Sequence, residues 1–438
     1  MTPAVRPTRV LTVAVALLLV LTGCGGGPGP QEPDPEQVAV PAGVDADDPV
    51  LGWFEVTAVA ADALGSPVQS PRSALWATAW SAGEAAVDAV GTAGPEAAAP
   101  AGFAQAVHDV LVDRVPVVAE AADAQLAATL DAVAEVVTTA ERDRAAALGA
   151  RVADGVLARR AGDGLSAAEV AVGADSFVPR GGPGAWVPTD PGTAPSQPAL
   201  GRARPFLVTP GRVAVPAPPA LGSPAYRADL AEVRALGAAD SPTRTAAQTE
   251  TALFWADDSL SAWTQVLRGL LAARPEQPLE QRVHLVAVLH QVTTDAQIAC
   301  FAAKYDVQRW RPVTAIREAA PDGTADPDGD PATMPDATWE PLLTTPSHPE
   351  FPSAHTVYAG AAEVVLDALV GAPSEPVRIR VDGLPPRDYT DWTDLVEENV
   401  EARVASGIHY RTSDEAGAAL GRAVARAALS VLARPARG

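Results

Sequence analysis

Residues 346–356 read Pro346-Ser347-His348-Pro349-Glu350-Phe351-Pro352-Ser353-Ala354-His355-Thr356, and the apolar run 357–369 that follows them has the composition of a helix. Ser353 and His355 therefore fall at a predicted helix N-terminus, where unpaired backbone N–H groups attract anions. A serine in this position is also the ordinary N-cap residue. Capping accounts for Ser353, but it leaves two histidines among three prolines unexplained. We therefore expect this stretch to form part of an anion site in a helical protein.

A second basic segment contains Lys304, the only lysine in the chain, seven residues before Arg311. Arginine fills the other basic positions, so a retained lysine indicates a need for a compact ammonium group, although chance retention is the alternative. On a continuous helix the two side chains would lie on one face, two turns apart, and Pro312 would end that helix. Trp310 and Phe301 predict partly buried surroundings. A buried pair of cations with few acidic neighbours would need a bound anion.

A third segment places Arg403 six residues before His409, with Gly407 between them. On a straight helix these two side chains would lie on different faces, but a break at the glycine could bring both to one point. A lone histidine is more often structural, whereas the upstream arginine and the downstream Asp414 favour a site. The three segments together predict a cage of fixed donors around a tetrahedral oxyanion. One histidine could bond the central atom while another acts as an acid or base.

The composition indicates a helical globular protein. The 438-residue chain is 47% hydrophobic and 20% charged, and alanine is abundant while β-branched runs are short, so we predict an all-α fold. The net charge of −22 argues against nucleic-acid binding, which needs a basic surface. The pattern along the chain predicts an N-terminal helical domain, a Pro-rich packing arm and a C-terminal catalytic helical domain, at 47–174, 175–240 and 241–438.

The first 23 residues have the features of a signal peptide, with a basic start and an apolar run, 10–21, that is short for a membrane span. Leu21-Thr22-Gly23-Cys24 resembles a bacterial lipobox, which implies a lipidated Cys24 and an extracytoplasmic protein anchored to the cell membrane. The alternative is an ordinary secretory signal with an incidental cysteine. Residues 24–46 are predicted to be a flexible tether. Cys300 is interpreted as a buried small hydrophobe.

The order and spacing of the three segments carry a family resemblance. The chain contains Lys304-x6-Arg311-Pro312, Pro352-Ser353-Ala354-His355 and Ala402-Arg403-x5-His409. These strings resemble the Lys-x6-Arg-Pro, Pro-Ser-Gly-His and Ser-Arg-x5-His motifs of the vanadium haloperoxidase and type-2 phosphatidic acid phosphatase superfamily. Residues 254–258, 310–317 and 407–411 are similar to its haloperoxidase-like branch. The resemblance implies a C-terminal helical bundle of that superfamily and covers nearly all of the mature chain.

The resemblance implies a site for vanadate or phosphate. Positive charges that neutralise the oxygens would come from Lys304, Arg311 and Arg403. The Ser353 hydroxyl and the backbone N–H of Ala354 would bond further oxygens.

Two histidines would carry the chemistry that the resemblance implies. His409 would be the axial ligand to vanadium, or the nucleophile on phosphorus, and His355 would be the acid–base histidine. Lys304 would also be catalytic, by polarising bound peroxide. Asp258 would match a family aspartate that pairs with Arg403.

Three positions depart from the family motifs. Ala354 replaces the glycine, which keeps the N–H but adds a methyl group that could crowd the cage. Ala402 replaces the serine before Arg403, at little cost. The aspartate that would orient His409 comes one residue late, at Asp414, which puts that role in doubt.

His348 bears on the choice of halide. It lies seven residues before His355, where bromide-oxidising relatives carry a histidine and chloride-oxidising fungal relatives a phenylalanine. The resemblance implies a preference for bromide or iodide over chloride. The alternative is that His348 only caps a turn.

Three functions are compatible with the sequence. The first is a vanadate-dependent haloperoxidase that oxidises halide with hydrogen peroxide. The second is an acid phosphatase that acts on phosphate esters through a phosphohistidine in the same site. The third is a non-catalytic oxyanion-binding lipoprotein, which Ala354 would support. The long N-terminal region and His348 favour the first.

Overall fold

A computed structural model describes residues 48–66, 68–190, 192–209, 211–318 and 335–433. The predicted signal peptide (residues 1–23), the predicted lipidation site Cys24 and the predicted tether (residues 24–46) lie outside the described residues. The described residues form α-helices with one small two-stranded sheet, so the predicted all-α class is confirmed.

The N-terminal region is a helical bundle around a tryptophan-rich core. Its helices are α1 (Pro49–Ala63), α2 (Gln69–Ala93), α3 (Ala99–Arg114), α4 (Ala119–Ala134), α5 (Thr139–Arg160) and the single turn α6 (Ala167–Val170). Trp76 and Trp80, one turn apart on α2, stack with ring centroids 6.2 Å apart. Phe54 packs on Trp76 at 4.6 Å and Phe103 on Trp80 at 5.4 Å. Each fully buried side chain of this size stabilises the bundle by roughly 2–3 kcal/mol.

The Pro-rich segment that leads to α7 (Pro224–Leu236) is irregular but fixed to the helices. The carboxylate of Asp295 accepts three consecutive backbone N–H groups, those of residues 206–208, at 2.6–2.7 Å. Arg160 donates to the carbonyl oxygens of residues 204 and 205 at 2.7 and 3.0 Å. These side chains satisfy backbone groups that have no helix or sheet to bond with.

The C-terminal region is a second helical bundle. Its elements are α8 (Ala246–Phe254), α9 (Ser259–Ala272), α10 (Leu279–Val307), α11 (Pro312–Arg317), α12 (Ala354–Leu369), β1 (Val377–Ile379), β2 (Arg387–Tyr389), α13 (Trp392–Ala405) and α14 (Arg411–Leu432). The two strands are antiparallel, with Val377 opposite Tyr389. This bundle contributes all of the predicted anion-binding side chains.

Helix α10 runs through the middle of the molecule and packs against both α2 and α12. It is long and apolar enough to cross a membrane by length and composition alone. However, 89% of its apolar window is buried inside the fold. Its apolar surface is therefore used for packing, which fixes Lys304 in its last turn at the centre of the bundle.

Helices α12 and α14 approach each other through glycines. A Cβ on Gly421 would lie 2.0 Å from the carbonyl oxygen of Val357, and a Cβ on Gly360 would lie 2.3 Å from that of Ala418. Contacts this short leave no room for a side chain. The N-terminal ends of α12 and α14 therefore lie in close contact. The backbone N–H of Ser353 donates to the Ser413 carbonyl oxygen at 3.2 Å.

Candidate active site

Lys304 and Arg311 lie on two different helices. Helix α10 ends at Val307, and Gln308 then adopts a left-handed conformation with φ of 52°. Arg311 is the N-cap residue of α11, whose first residue is Pro312. The prediction of one helix ended by Pro312 is therefore wrong, because a proline at the first helical position needs no N–H donor and begins the next helix.

The two cations still converge, since both bind the segment that precedes α12. The Nζ of Lys304 donates to the carbonyl oxygens of Pro349 and Glu350 at 3.0 and 2.9 Å. The Nε of Arg311 donates to the carbonyl oxygen of His348 at 3.1 Å. Residues 348–350, which precede α12, thus hold both side chains in place.

His409 is held from both sides of its ring. Its Nε2 lies 3.1 Å from Nη1 of Arg311, and its Nδ1 lies 2.8 Å from Oε1 of Glu350. An arginine can only donate, so Nε2 accepts and Nδ1 carries the hydrogen that it donates to Glu350. The same Oε1 accepts the backbone N–H of Tyr410 at 3.2 Å. In this tautomer the Nε2 lone pair points towards the guanidinium group of Arg311.

Glu350 was missed by the sequence analysis, which considered Asp414 for this role. It is buried, and in the sequence it stands between Pro349 and Phe351 in an apolar stretch, where a charged residue is rare without a partner. That unusual setting is the signal that could have identified it.

The chain breaks at the glycine between Arg403 and His409, and the charge of Arg403 acts on the His409 ring. Gly407 has φ of 80°, and a Cβ there would lie 2.4 Å from the carbonyl oxygen of Gly237. The Nη1 of Arg403 donates to the carbonyl oxygen of Trp255 at 3.0 Å. Its Nε is buried and has no hydrogen-bond partner among the described residues.

Ser353 is the N-cap residue of α12, but its hydroxyl makes no capping bond. The Oγ atom is buried and lacks a hydrogen-bond partner in the described part of the chain. Capping therefore does not explain this serine. Ala354 is the first residue of α12, and its side chain packs against the main apolar core.

His355 follows on the first turn of α12. Its Nε2 lies 3.0 Å from the carbonyl oxygen of Asp257, so Nε2 carries the hydrogen and the Nδ1 lone pair is left available. Burial lowers the pKa of His355 well below its usual value, and Arg403 lowers it further.

His348 lies beside Arg311 and against an aromatic ring. Its Nδ1 is 3.1 Å from Nη2 of Arg311, and its ring centroid is 5.2 Å from that of Phe301. Burial lowers the pKa of His348 well below its usual value, and the neighbouring Lys304 and Arg311 act in the same direction. His348 therefore contacts the cage rather than only a turn.

Asp258 does not pair with Arg403, and that expectation is wrong. Its carboxylate accepts from Arg72 of the N-terminal bundle and caps α9 through the backbone N–H of Ser261 at 3.1 Å. Among the carboxylates, Asp414 is the one whose charge acts on Arg403. Asp258 binds the N-terminal bundle instead of Arg403, and sequence spacing cannot reveal such a long-range contact.

The cage holds three buried cations. Burial lowers the pKa of Lys304 to about 8 and the pKa values of Arg311 and Arg403 to about 10. Burial also lowers the pKa of His409 well below its usual value, and the three cations reinforce that shift, so its ring is neutral. Two buried carboxyls, Glu350 and Asp414, face these cations, which the sequence analysis did not expect.

Several buried polar atoms around the cage have no hydrogen-bond partner among residues 48–433 that the structure describes: Ser353 Oγ, Ser413 Oγ, Arg403 Nε and both carboxyl oxygens of Asp414. Buried polar groups are normally hydrogen-bonded, so a cluster of unpaired ones marks a ligand position. Fixed donors, positive charge and a neutral imidazole with an unprotonated Nε2 are the groups that a vanadate or phosphate ion requires. The residues present therefore fit vanadate.

Comparison with known proteins identifies the fold. Residues 284–438 match the family described as the VCPO second helical-bundle domain. A bacterial vanadium-dependent iodoperoxidase structure has a TM-score of 0.69 and 20% identity, covering 89% of this chain and 97% of its own. Apo and holo structures of bacterial vanadium-dependent chloroperoxidase have TM-scores of 0.63 and 0.60 at 16% identity, covering 82% and 92% of this chain and 93% and 96% of their own. No curated protein sequence matches.

The fold is thus that of the vanadium haloperoxidases, and the matched domain contains all three motifs that carry the cage. Residues 284–438 are therefore similar to the second helical-bundle domain of that family, and the fold of the described residues is similar to the solved vanadium haloperoxidases.

Proposed function

We propose that this protein is a vanadate-dependent haloperoxidase that oxidises bromide or iodide with hydrogen peroxide. The observation that carries the proposal is the His409 ring, which is neutral, held by Glu350 at Nδ1 and by Arg311 at Nε2, and close enough to Lys304 and Arg403 for their charges to act on it. Bound vanadate would supply a Lewis-acid centre that activates peroxide without changing its own oxidation state.

The cations would hold the oxygens of the anion. Arg311 now donates Nη1 to Nε2 of His409, and this N–H would turn to an oxygen of the anion when the imidazole takes up its ligand. Arg403 offers its unpaired Nε, and Ser353 its unpaired hydroxyl. Lys304 is fixed by two carbonyl oxygens and retains a third N–H. These donors are preorganised, so little reorganisation accompanies binding.

Proton transfer would fall to His355. Its hydrogen on Nε2 is engaged with the carbonyl oxygen of Asp257, and its Nδ1 can accept a proton. The low pKa keeps the ring neutral at ordinary pH, which is the state needed for a base.

The preference for bromide or iodide rests on the family resemblance at His348, which lies next to Arg311. The test replaces it with phenylalanine and compares the oxidation of chloride, bromide and iodide in the presence of vanadate and hydrogen peroxide. His348→Phe should change the ratio of halide rates while vanadate affinity stays within about twofold. Equal halide ratios in both proteins would remove His348 from this role.

A phosphatase reaction is the second candidate, and the Glu350–His409 bond favours it equally. A neutral imidazole whose Nδ1–H is held by a carboxylate is a competent nucleophile on phosphorus. Hydrolysis of a phenyl phosphate ester by the metal-free chain, inhibited by vanadate and lost in His409→Ala, would select it. Anion binding without either reaction would select a non-catalytic lipoprotein.

We also propose that the protein is lipid-anchored at Cys24 on the outer side of the cell membrane, as Leu21-Thr22-Gly23-Cys24 suggests. Expression in bacteria with labelled palmitate tests this directly. The wild-type chain should be labelled and sediment with membranes, and Cys24→Ser should lose the label. A soluble, unlabelled wild-type chain would contradict the anchor.

A further inference from the structure

Asp414 is a buried carboxyl group that the proposed chemistry does not use. It lies in the first turn of α14 and is 0% exposed. Neither of its oxygens has a hydrogen-bond partner in the described residues. An ionised carboxylate in such a place is costly, so the group is either protonated or turned towards a ligand.

The Ser353 hydroxyl is a neighbour of the Asp414 carboxyl. A Cβ on Gly417 would lie 2.6 Å from the Ser353 carbonyl oxygen and 2.3 Å from Oγ1 of Thr356, so only glycine allows α14 to approach this closely. The Ser353 hydroxyl faces the Asp414 carboxyl and partly offsets the rise in its pKa. Two unpaired polar groups therefore face each other at the N-terminus of α12.

The charged groups around Asp414 come from every neighbouring element. They are Glu350 before α12, Arg403 of α13, Arg411 of its own helix, Lys304 of α10 and Arg311 at the start of α11. From α7, Glu232 is held by Arg411 and Asp229 by the backbone N–H of Thr412. Burial outweighs the nearby cations and raises the pKa of Asp414 well above its usual value.

We propose that Asp414 is a positioning residue of the oxyanion site, and that its protonation state sets the direction of the Ser353 hydroxyl. As a carboxylic acid, Asp414 donates its hydrogen to Ser353 Oγ, and the serine O–H is free to donate to the anion. As a carboxylate, it accepts the serine hydrogen and adds a negative charge beside the anion. At a pH above the pKa of Asp414 in the free protein, oxyanion binding therefore takes up one proton at Asp414.

This inference rests on the proposed oxyanion site, but it does not depend on which reaction the site catalyses. It differs from the role of Glu350, because Asp414 acts through a serine rather than a histidine. The inference predicts that anion affinity depends on pH even when no reaction is catalysed.

The test measures tungstate binding to the full chain by calorimetry, from mildly acidic to alkaline pH. Tungstate is a tetrahedral dianion whose own charge stays constant over this range. Above the pKa of Asp414, wild-type affinity should fall about tenfold per pH unit more steeply than that of Asp414→Asn. The asparagine amide donates to Ser353 at every pH, so this variant should take up one proton fewer per anion bound.

Two controls make the result specific. Glu415→Gln removes the same charge one residue along but on an exposed side chain, and it should behave as wild type. In a Ser353→Ala background, adding Asp414→Asn should bring a smaller change, because only the negative charge of the carboxylate remains to be removed. Should Asp414→Asn fail to fold, an infrared difference spectrum of the wild-type chain must gain a protonated carboxyl band when tungstate binds.

Equal pH dependence and proton uptake in wild type and Asp414→Asn would overturn this inference while leaving the oxyanion site intact. So would an effect of Asp414→Asn that is equally large without Ser353, or the lack of the carboxyl band. A wild-type chain that does not bind tungstate would overturn the oxyanion site and this inference together.

Discussion

His409 donates its Nδ1–H to Glu350 across 2.8 Å, and both side chains are buried, at 2% and 1% exposure. The bond fixes the tautomer and the plane of the ring, because Arg311 engages the opposite nitrogen. A neutral histidine with one nitrogen held in this way presents the other as a ligand or nucleophile. The geometry of the cage therefore depends on a glutamate outside the family motifs quoted above.

Replacing Glu350 should disable the site without dismantling the fold. Glu350→Ala leaves the Nδ1–H buried and unpaired, which should cost about 1–3 kcal/mol of unfolding free energy. Loss of the correct tautomer should lower turnover by about 10²–10⁴-fold.

Nitrogen NMR of labelled histidine measures this effect directly. The wild-type chain should show the Nδ1–H form of His409, and Glu350→Ala a mixture of forms. Glu350→Asp, which keeps a carboxylate, should restore part of the signal. An unchanged spectrum in Glu350→Ala would remove Glu350 from the positioning role.

Lys304 should impose an alkaline limit on oxyanion binding. Burial lowers its pKa to about 8, so the ammonium is present below that pH and is lost as the pH rises through it. A bound anion favours the charged form, so the limit in the complex should lie higher. Anion affinity measured against pH in wild type and Lys304→Met checks this. Lys304→Met should bind weakly, and its affinity should fall with rising pH about tenfold per unit less steeply than that of wild type, because only the effect of Asp414 remains. Equal slopes in the two proteins would assign the limit elsewhere.

Ala354 should be tolerated in place of the family glycine. Its methyl group packs against the apolar core at the first position of α12. Ala354→Gly should therefore leave vanadate affinity within about twofold and lower the unfolding free energy by about 0.5–1 kcal/mol. Chemical denaturation and anion titration measure the two effects. A tenfold gain in affinity would mean that the methyl group crowds the cage.

The contact between α12 and α14 should tolerate no side chain at Gly421. A Cβ there would lie 2.0 Å from the Val357 carbonyl oxygen, so Gly421→Ala should cost about 1–3 kcal/mol or more and displace Ser353. Gly269→Ala, with nothing within 4 Å on α9, is the matched control and should stabilise by about 0.5–1 kcal/mol. Denaturant unfolding compares the two, and equal effects would contradict the close packing.

The sequence predicted the helical class and the residues of the cage, because motif spacing and helix-terminus chemistry are local properties. The sequence did not predict features that depend on an unusual backbone conformation or on contacts between distant residues. Gln308 adopts a left-handed conformation that a non-glycine residue rarely takes, so the separation of Lys304 from Arg311 could not be foreseen. The partners of Asp258 and His409 lie 186 and 59 residues away in sequence, and only tertiary packing brings them together.

The central claim is that His409 binds vanadate within the cage of Lys304, Arg311 and Arg403. The most direct measurement is vanadium NMR of the full chain and of His409→Ala, with peroxide-dependent bromide and iodide oxidation followed in the same samples. The wild-type chain should give one bound vanadate signal and halide oxidation, and both should disappear in a folded His409→Ala variant. A folded His409→Ala variant that keeps the bound vanadate signal and the rate of halide oxidation would show that His409 does not hold vanadate.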